Sequence, residues 1–213
     1  MCIRDSSPDG QTIAFSYQGD IYTVPSSGGK ARQLTTHPAH DTRPVWSPDG
    51  QRIAFASNRS GNFDIFLMNK EGGEPKRLTT HSTNEYPTTF KDNGHILYLA
   101  NVLQDAKDIQ FPGTRFMQVY EISTDGGRPD LYSSLYMENI ALSKDGSKLL
   151  YNDYKGYEDP WRKHHQSSIT RDIWLCTLGK DRSFQKVTTF GGEDRNPVSV
   201  SYTHLRAHET ELH

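Results

Sequence analysis

One short phrase constrains this chain more than anything else in it: Ser-Pro-Asp-Gly followed by an alternating apolar run. At Trp46-Ser47-Pro48-Asp49-Gly50 it leads into Gln51-Arg52-Ile53-Ala54-Phe55-Ala56-Ser57. Proline fixes φ at the first central position of a type I turn, aspartate bonds back to its own backbone, and glycine accepts the exit geometry. Ile53 and Phe55 then alternate with smaller residues, the period-two pattern of a half-buried strand. The expectation is a tight hairpin turn that opens a strand.

The phrase recurs as Ser7-Pro8-Asp9-Gly10, Lys91-Asp92-Asn93-Gly94 and Ser143-Lys144-Asp145-Gly146, each followed by an apolar run. The copies start at positions 7, 47, 91 and 143, so they lie 40, 44 and 52 residues apart. A second signal follows each one: Asp20-Ile21-Tyr22, Asp64-Ile65-Phe66, Gln118-Val119-Tyr120 and Asp172-Ile173-Trp174. A third closes the unit, as Gly28-Gly29 before Leu34-Thr35, Gly72-Gly73 before Leu78-Thr79, Gly126-Gly127 before Leu131, and a degenerate Gly179 before Val187-Thr188. Each unit therefore reads as four short strands, and repeats of about 40–45 residues with four strands apiece predict a β-propeller. The predicted fold class is all-β, a partial propeller of four-stranded antiparallel blades, about four blades of a six-bladed ring.

The termini fall outside the repeat. Met1-Cys2-Ile3-Arg4-Asp5-Ser6 back-translates to ATG TGT ATA AGA GAC AG and one further base, which resembles a transposon end used in sequencing libraries. The run from Val200 to Thr210 fits the reverse complement of that end followed by its adapter. Residues 1–6 and 199–213 are accordingly expected to be adapter-derived and are excluded from fold reasoning. The propeller fragment is then 7–198, with blades at about 7–40, 41–85, 86–136 and 137–193 and a fifth beginning at 194–198. On this reading the first blade lacks its innermost strand, Cys176 is the one remaining cysteine, and a leader or anchor of the parent protein would not be visible.

Composition narrows the partners. Lys and Arg total 24 against 26 Asp and Glu, a formal charge of −2, which gives no basic footprint for nucleic acid. No apolar run approaches the roughly 18 residues of a membrane span. Hydrophobic content is only 33%, yet 11% aromatics set among many turn formers suit short half-exposed strands rather than disorder.

Two units depart from the template between their second and third strands. Asn101 to Arg115 is a long connection, and the fourth unit carries a longer one from Asp153 to Arg171. Long connections on a regular scaffold tend to carry function. Tyr157, Trp161, Arg162, Lys163, His164, His165 and Arg171 are the candidate substrate- or partner-binding residues, because guanidinium forks meet carboxylates and aromatic faces supply area. The competing reading is a packed lid in which Tyr157 and Trp161 cover the propeller end. Adjacent residues such as His164-His165 rarely put both rings on one metal; Glu158 and Asp159 could help, yet an exposed loop accounts for all four, and no metal or cofactor is expected. Ser167 and Ser168 have no identifiable base beside them, and the serines of the repeated turns are accounted for as turn formers, so no catalytic residue is assigned.

The Ser-Pro-Asp-Gly hairpins, the Ile-Ala-Phe runs and the Gly-Gly-x-x-x-x-Leu-Thr closures resemble TolB-type propeller repeats across 7–198. The segment Lys155-Gly156-Tyr157-Glu158-Asp159-Pro160-Trp161-Arg162-Lys163-His164-His165-Gln166-Ser167-Ser168, running into Arg171-Asp172-Ile173-Trp174, is similar to the N-terminal six-bladed propeller of tricorn-type serine peptidases, as is Gly19-Asp20-Ile21-Tyr22-Thr23-Val24-Pro25. That resemblance implies a non-catalytic propeller that gates or binds peptides for a protease core elsewhere in the parent chain. It implies peptides, protein partners and the downstream peptidase domains as partners, with export to the periplasm or residence in the cytoplasm both compatible. The alternatives are a TolB-like protein-binding module and the propeller cap of a prolyl-oligopeptidase-type hydrolase.

Overall fold

The structure is a computed structural model describing residues 4–101, 117–143, 145–153, 155, 170–189, 192, 194–199 and 205–208. Its strands group into four antiparallel sheets of four strands, each running in chain order, and one strand pair. The chain divides into two compact units, the first holding three blades and the second the fourth blade with the strand pair.

In the first unit, blade one comprises β1 (Arg4–Ser6), β2 (Thr12–Tyr17), β3 (Asp20–Pro25) and β4 (Arg32–Gln33). Blade two comprises β5 (Asp41–Trp46), β6 (Arg52–Ser57), β7 (Asp64–Asn69) and β8 (Gly72–Arg77). Blade three comprises β9 (Glu85–Asp92), β10 (His95–Ala100), β11 (Gln118–Ser123) and β12 (Asp130–Ser133). The second unit holds β13 (Met137–Leu142), β14 (Lys148–Asp153), β15 (Ile173–Thr177) and β16 (Ser183–Lys186), then β17 (Arg195–Ser199) paired with β18 (Leu205–His208).

Blade one differs from expectation in one respect: it has its innermost strand. Arg4, Asp5 and Ser6 pair with Phe15, Ala14 and Ile13, and the Asp5 carboxylate accepts the Trp46 N–H at 2.8 Å. Strand pairing uses backbone groups that every non-proline residue carries, so any extended segment ahead of the turn can take the place.

The repeated turn is closed by its serine as well as its aspartate. Ser47 Oγ donates to Asp49 Oδ1 at 2.6 Å and accepts the Arg52 N–H at 2.9 Å, while Gly50 N–H reaches Ser47 O at 2.8 Å. Ser7 with Asp9 and Ser143 with Asp145 repeat the pattern. The third copy has no serine, and Asp92 takes over by accepting the Gly94 N–H at 2.7 Å.

Alternation along β6 and β7 builds two cores within the first unit. Ile53, Phe55, Phe66 and Met68 face one way and, with Trp46 of the same blade, join Ala14 and Ile21 of the preceding blade. Ala54, Ile65 and Leu67 face the other way and join Phe90, Ile96, Tyr98, Tyr120 and Ile122 of the following blade. The second blade thus buries both of its faces against its neighbours within the first unit, as repeat architectures require. Hydrogen bonds stitch the same seams. Arg32 Nη2 donates to Glu71 O at 2.8 Å, and Lys76, at the equivalent position of the next blade, donates to Asp125 O at 2.8 Å. Gly72 permits the first approach: its φ is +83°, and a Cβ there would stand 3.2 Å from Leu34 O.

Candidate functional site

The outer strands explain the closing Leu-Thr signal. Thr35 Oγ1 accepts the Ile21 N–H at 2.9 Å, Thr79 Oγ1 accepts the Ile65 N–H at 2.9 Å, and Thr188 Oγ1 accepts the Ile173 N–H at 3.1 Å. Each threonine satisfies the amide that follows the aspartate of the Asp-Ile-aromatic signal. In the first unit the aspartates of that signal tie the third strand to the fourth. Asp20 accepts from Gln33 at 2.9 Å, and Arg77 Nη2 stands 2.8 Å from Asp64 Oδ2.

A second acidic residue sits at the start of the next blade's first strand. Asp41, Glu85 and Asp194 are all buried, and each donates its N–H to the carbonyl preceding the third strand of the previous blade: Gly19 O at 2.7 Å, Phe63 O at 2.7 Å and Arg171 O at 3.0 Å. Arg59 holds Asp41 with both oxygens, at 3.1 and 2.9 Å, and lies over the Phe66 ring 4.8 Å from its centroid. Sequence reasoning missed this position, because the acid falls between the recognisable phrases.

In the second unit the stem of the long connection is fastened by one lysine. Lys155 Nζ donates to Thr170 O at 3.0 Å and Asp172 Oδ2 at 2.7 Å, and stands 3.2 Å from Asp153 Oδ2. Asp153 in turn accepts the Asp172 N–H at 2.7 Å and the Trp174 indole N–H at 3.1 Å. Burial opposes ionisation of Asp172, but the Lys155 and Lys186 ammoniums outweigh it and hold the carboxyl below the usual range. Chain leaving at Lys155 and returning at Thr170 therefore starts and ends at one fixed point.

Of the residues singled out in the sequence, Arg171 lies at this stem. Its Nε donates to Glu138 Oε2 at 3.0 Å and its side chain is only 11% exposed. Tyr157, Trp161, Arg162, Lys163, His164 and His165 lie outside the described residues, as do Ser167 and Ser168.

The first unit presents a feature the sequence did not advertise. His40, Phe63 and Tyr86 form a partly exposed aromatic run, with ring centroids 6.1 and 5.5 Å apart, and the Arg43 guanidinium caps Tyr86 at 4.1 Å. Arg43 has φ +54° inside an irregularity between Thr42 and Val45, and Asn139 has φ +49° at the matching place in β13. Such bulges re-aim side chains, and a positive φ at a non-glycine residue is a cost that packing must offset. The one signal available was the repeated lead-in, Arg43-Pro44-Val45 and Asn196-Pro197-Val198, which marks the spot without giving its conformation.

Nucleophilic chemistry finds little support among the described residues. Cys176 is buried and its thiol is pushed up by that burial, away from the reactive thiolate. Ser7, Ser47 and Ser143 are engaged by their turn aspartates. No group of three or more His, Cys, Asp or Glu among the described residues is placed to hold a metal ion.

Comparison with known proteins agrees with this architecture. Tricorn protease homolog 1 of Streptomyces coelicolor is 34% identical over 59 residues, covering 28% of this chain and 6% of that protein. The putative TolB of Agrobacterium tumefaciens superposes with a TM-score of 0.72 at 17% identity, over 99% of this chain and 71% of that one. The tricorn protease superposes with a TM-score of 0.69 at 21% identity, over 93% of this chain and 19% of that one. The chain thus spans 6–14% of the length of curated relatives it matches. Blades of this pattern match a sequence family over residues 2–204, and the chain belongs to that family, the tricorn protease N-terminal beta propeller domain.

Proposed function

We propose that this chain is the non-catalytic front of a tricorn-type serine peptidase, a propeller that binds or gates peptides for a protease core encoded elsewhere in the parent. The observation that carries this reading is the family match across residues 2–204. Two structural features support it. Lys155 fastens the two ends of the connection whose sequence carries Tyr157, Trp161, Arg162, Lys163, His164 and His165. The partly exposed His40, Phe63 and Tyr86 run with Arg43 offers aromatic area beside a cation, which suits the side chains and carboxylates of peptides. Under this reading Arg171, bonded to Glu138, supports the stem.

A TolB-like protein-binding module is the second reading, favoured by the superposition on the putative TolB over 99% of this chain. Fluorescence anisotropy with a labelled peptide mixture separates the two when Trp161→Ala and Arg162→Ala are compared with the unsubstituted chain. Peptide binding that weakens at least about tenfold in the double variant, a loss of roughly 1.4 kcal/mol, supports the peptidase reading. Binding to folded protein partners with no affinity for short peptides overturns it.

A further inference from the structure

The seam between the second and third blades holds more negative charge than cation. Asp64 begins β7 and Glu85 begins β9; they are 0% and 1% exposed, and Arg77 is the cation placed against them. The preceding seam is arranged differently: there Asp41 has Arg59 on both oxygens, and its companion Asp20 is half-buried and bonded to Gln33. The seam closed by Asp172 has two lysines on that carboxylate. Arg59 follows Ser57-Asn58, which align with Ala100-Asn101 of the third blade, and the residue after Asn101 is Val102, so the matching position brings no charge.

The groups that face Glu85 and Asp64 come from several elements, among them Asn62 ahead of β7, a donor toward Asp64. β7 supplies Asp64, β8 supplies Arg77, the segment after β8 supplies Thr79, and β10 supplies Tyr98. On β5, Asp41 is taken by Arg59, and Arg43 lies over the Tyr86 ring. The Thr79 and Tyr98 hydroxyls are the nearest donors to Glu85, yet neither of its oxygens has a hydrogen bond of full geometry, and the Tyr98 hydroxyl has none either. A bare carboxylate in that position forfeits hydration without replacement, whereas a carboxylic acid is neutral and has a proton to donate.

We infer that Asp64 and Glu85 share one proton, held mainly by Glu85, and that this proton joins the second blade to the third. Burial, reinforced by the Asp64 charge, pushes the Glu85 carboxyl up to about 7, and burial also raises Asp64 against the pull of Arg77. Folded chain then keeps a proton that unfolded chain has released, so stability falls as pH rises from the ordinary glutamate value to about 7 and levels off above it. Glu85 also donates its N–H to Phe63 O and precedes Tyr86, so ionisation acts on the backbone carrying two of the aromatic rings.

The test is a carbon-detected NMR titration of the whole chain labelled at glutamate side-chain carboxyls, with Glu85→Gln identifying the resonance. One carboxyl titrating near pH 7, absent from Glu85→Gln and shifted to lower pH by Asp64→Asn, is the expected result. Urea midpoints provide the second readout: the unsubstituted chain loses stability between pH 5 and 8, and Glu85→Gln flattens that slope. Titration of Glu85 in the ordinary glutamate range overturns the proposal, as does an unchanged slope in Glu85→Gln. The titration uses the unsubstituted chain, and Asp64→Asn, which leaves Glu85 in place, serves if Glu85→Gln does not fold.

Discussion

Replacing Thr79 by valine isolates the part of the repeat that the sequence showed but did not explain. The hydroxyl accepts the Ile65 N–H at 2.9 Å in a buried setting, and Ile65 itself is fully buried. Valine keeps the branched shape but removes the acceptor, so a buried amide is left without a partner at a cost of about 1–3 kcal/mol. Serine keeps the acceptor and loses one methyl group, a cost of about 0.8 kcal/mol. Taking about 2 kcal/mol for the valine variant, a protein of this size should melt about 4–8 °C lower. Thr35→Val provides an independent repeat, since Thr35 accepts the Ile21 N–H at the same distance. Urea denaturation at pH 5, where the Glu85 carboxyl is protonated, keeps the adjacent acid out of the comparison. Valine variants at both sites that are as stable as their serine counterparts would show that the threonines are retained for shape, and the capping argument would fail.

Two further outcomes follow from the charges. Arg59→Met leaves Asp41 buried without its bidentate partner and should cost about 3–5 kcal/mol, most of it regained in the Asp41→Asn, Arg59→Met double variant; a denaturant cycle measures the coupling. Hydrogen bonds from Ser143, then Ser147, hold the Asp145 carboxyl down at about 2. Its contribution to the turn is complete above the ordinary aspartate value and is lost as pH falls toward 2, so the Ser147 amide resonance should move in that window and stay still in Asp145→Asn.

Local chemistry made the blades legible. A serine, an aspartate and a glycine within four residues specify one turn, and the period-two runs after them specify which faces are buried, so strands and both cores of the first unit follow from patterns within about 20 residues. Partnerships that cross between blades had no such signal. Glu85 lies between two recognisable phrases and meets Asp64, Thr79 and Tyr98 through the packing of separate strands. Arg59 follows β6 with no motif around it, yet it neutralises an acid 18 residues earlier. Arg43 adopts its positive φ because a bulge in β5 demands it, and a residue before proline gives no warning of that. Arg171 was selected for its charge beside an aromatic segment, and its Nε is directed to Glu138.

The lysine at the base of the fourth blade's long connection also bears on how such proteins diversify. Lys155 joins Thr170 and Asp172, so the two ends of the connection are fastened to the blade next to each other. Lengthening the intervening segment then costs only the slow logarithmic entropy of a longer loop, about 0.6 kcal/mol for each doubling. Selection can rewrite that segment residue by residue, or exchange it whole, while the strands beneath keep their register. The stem is a socket, and the segment set into it can change on a different clock from the fold.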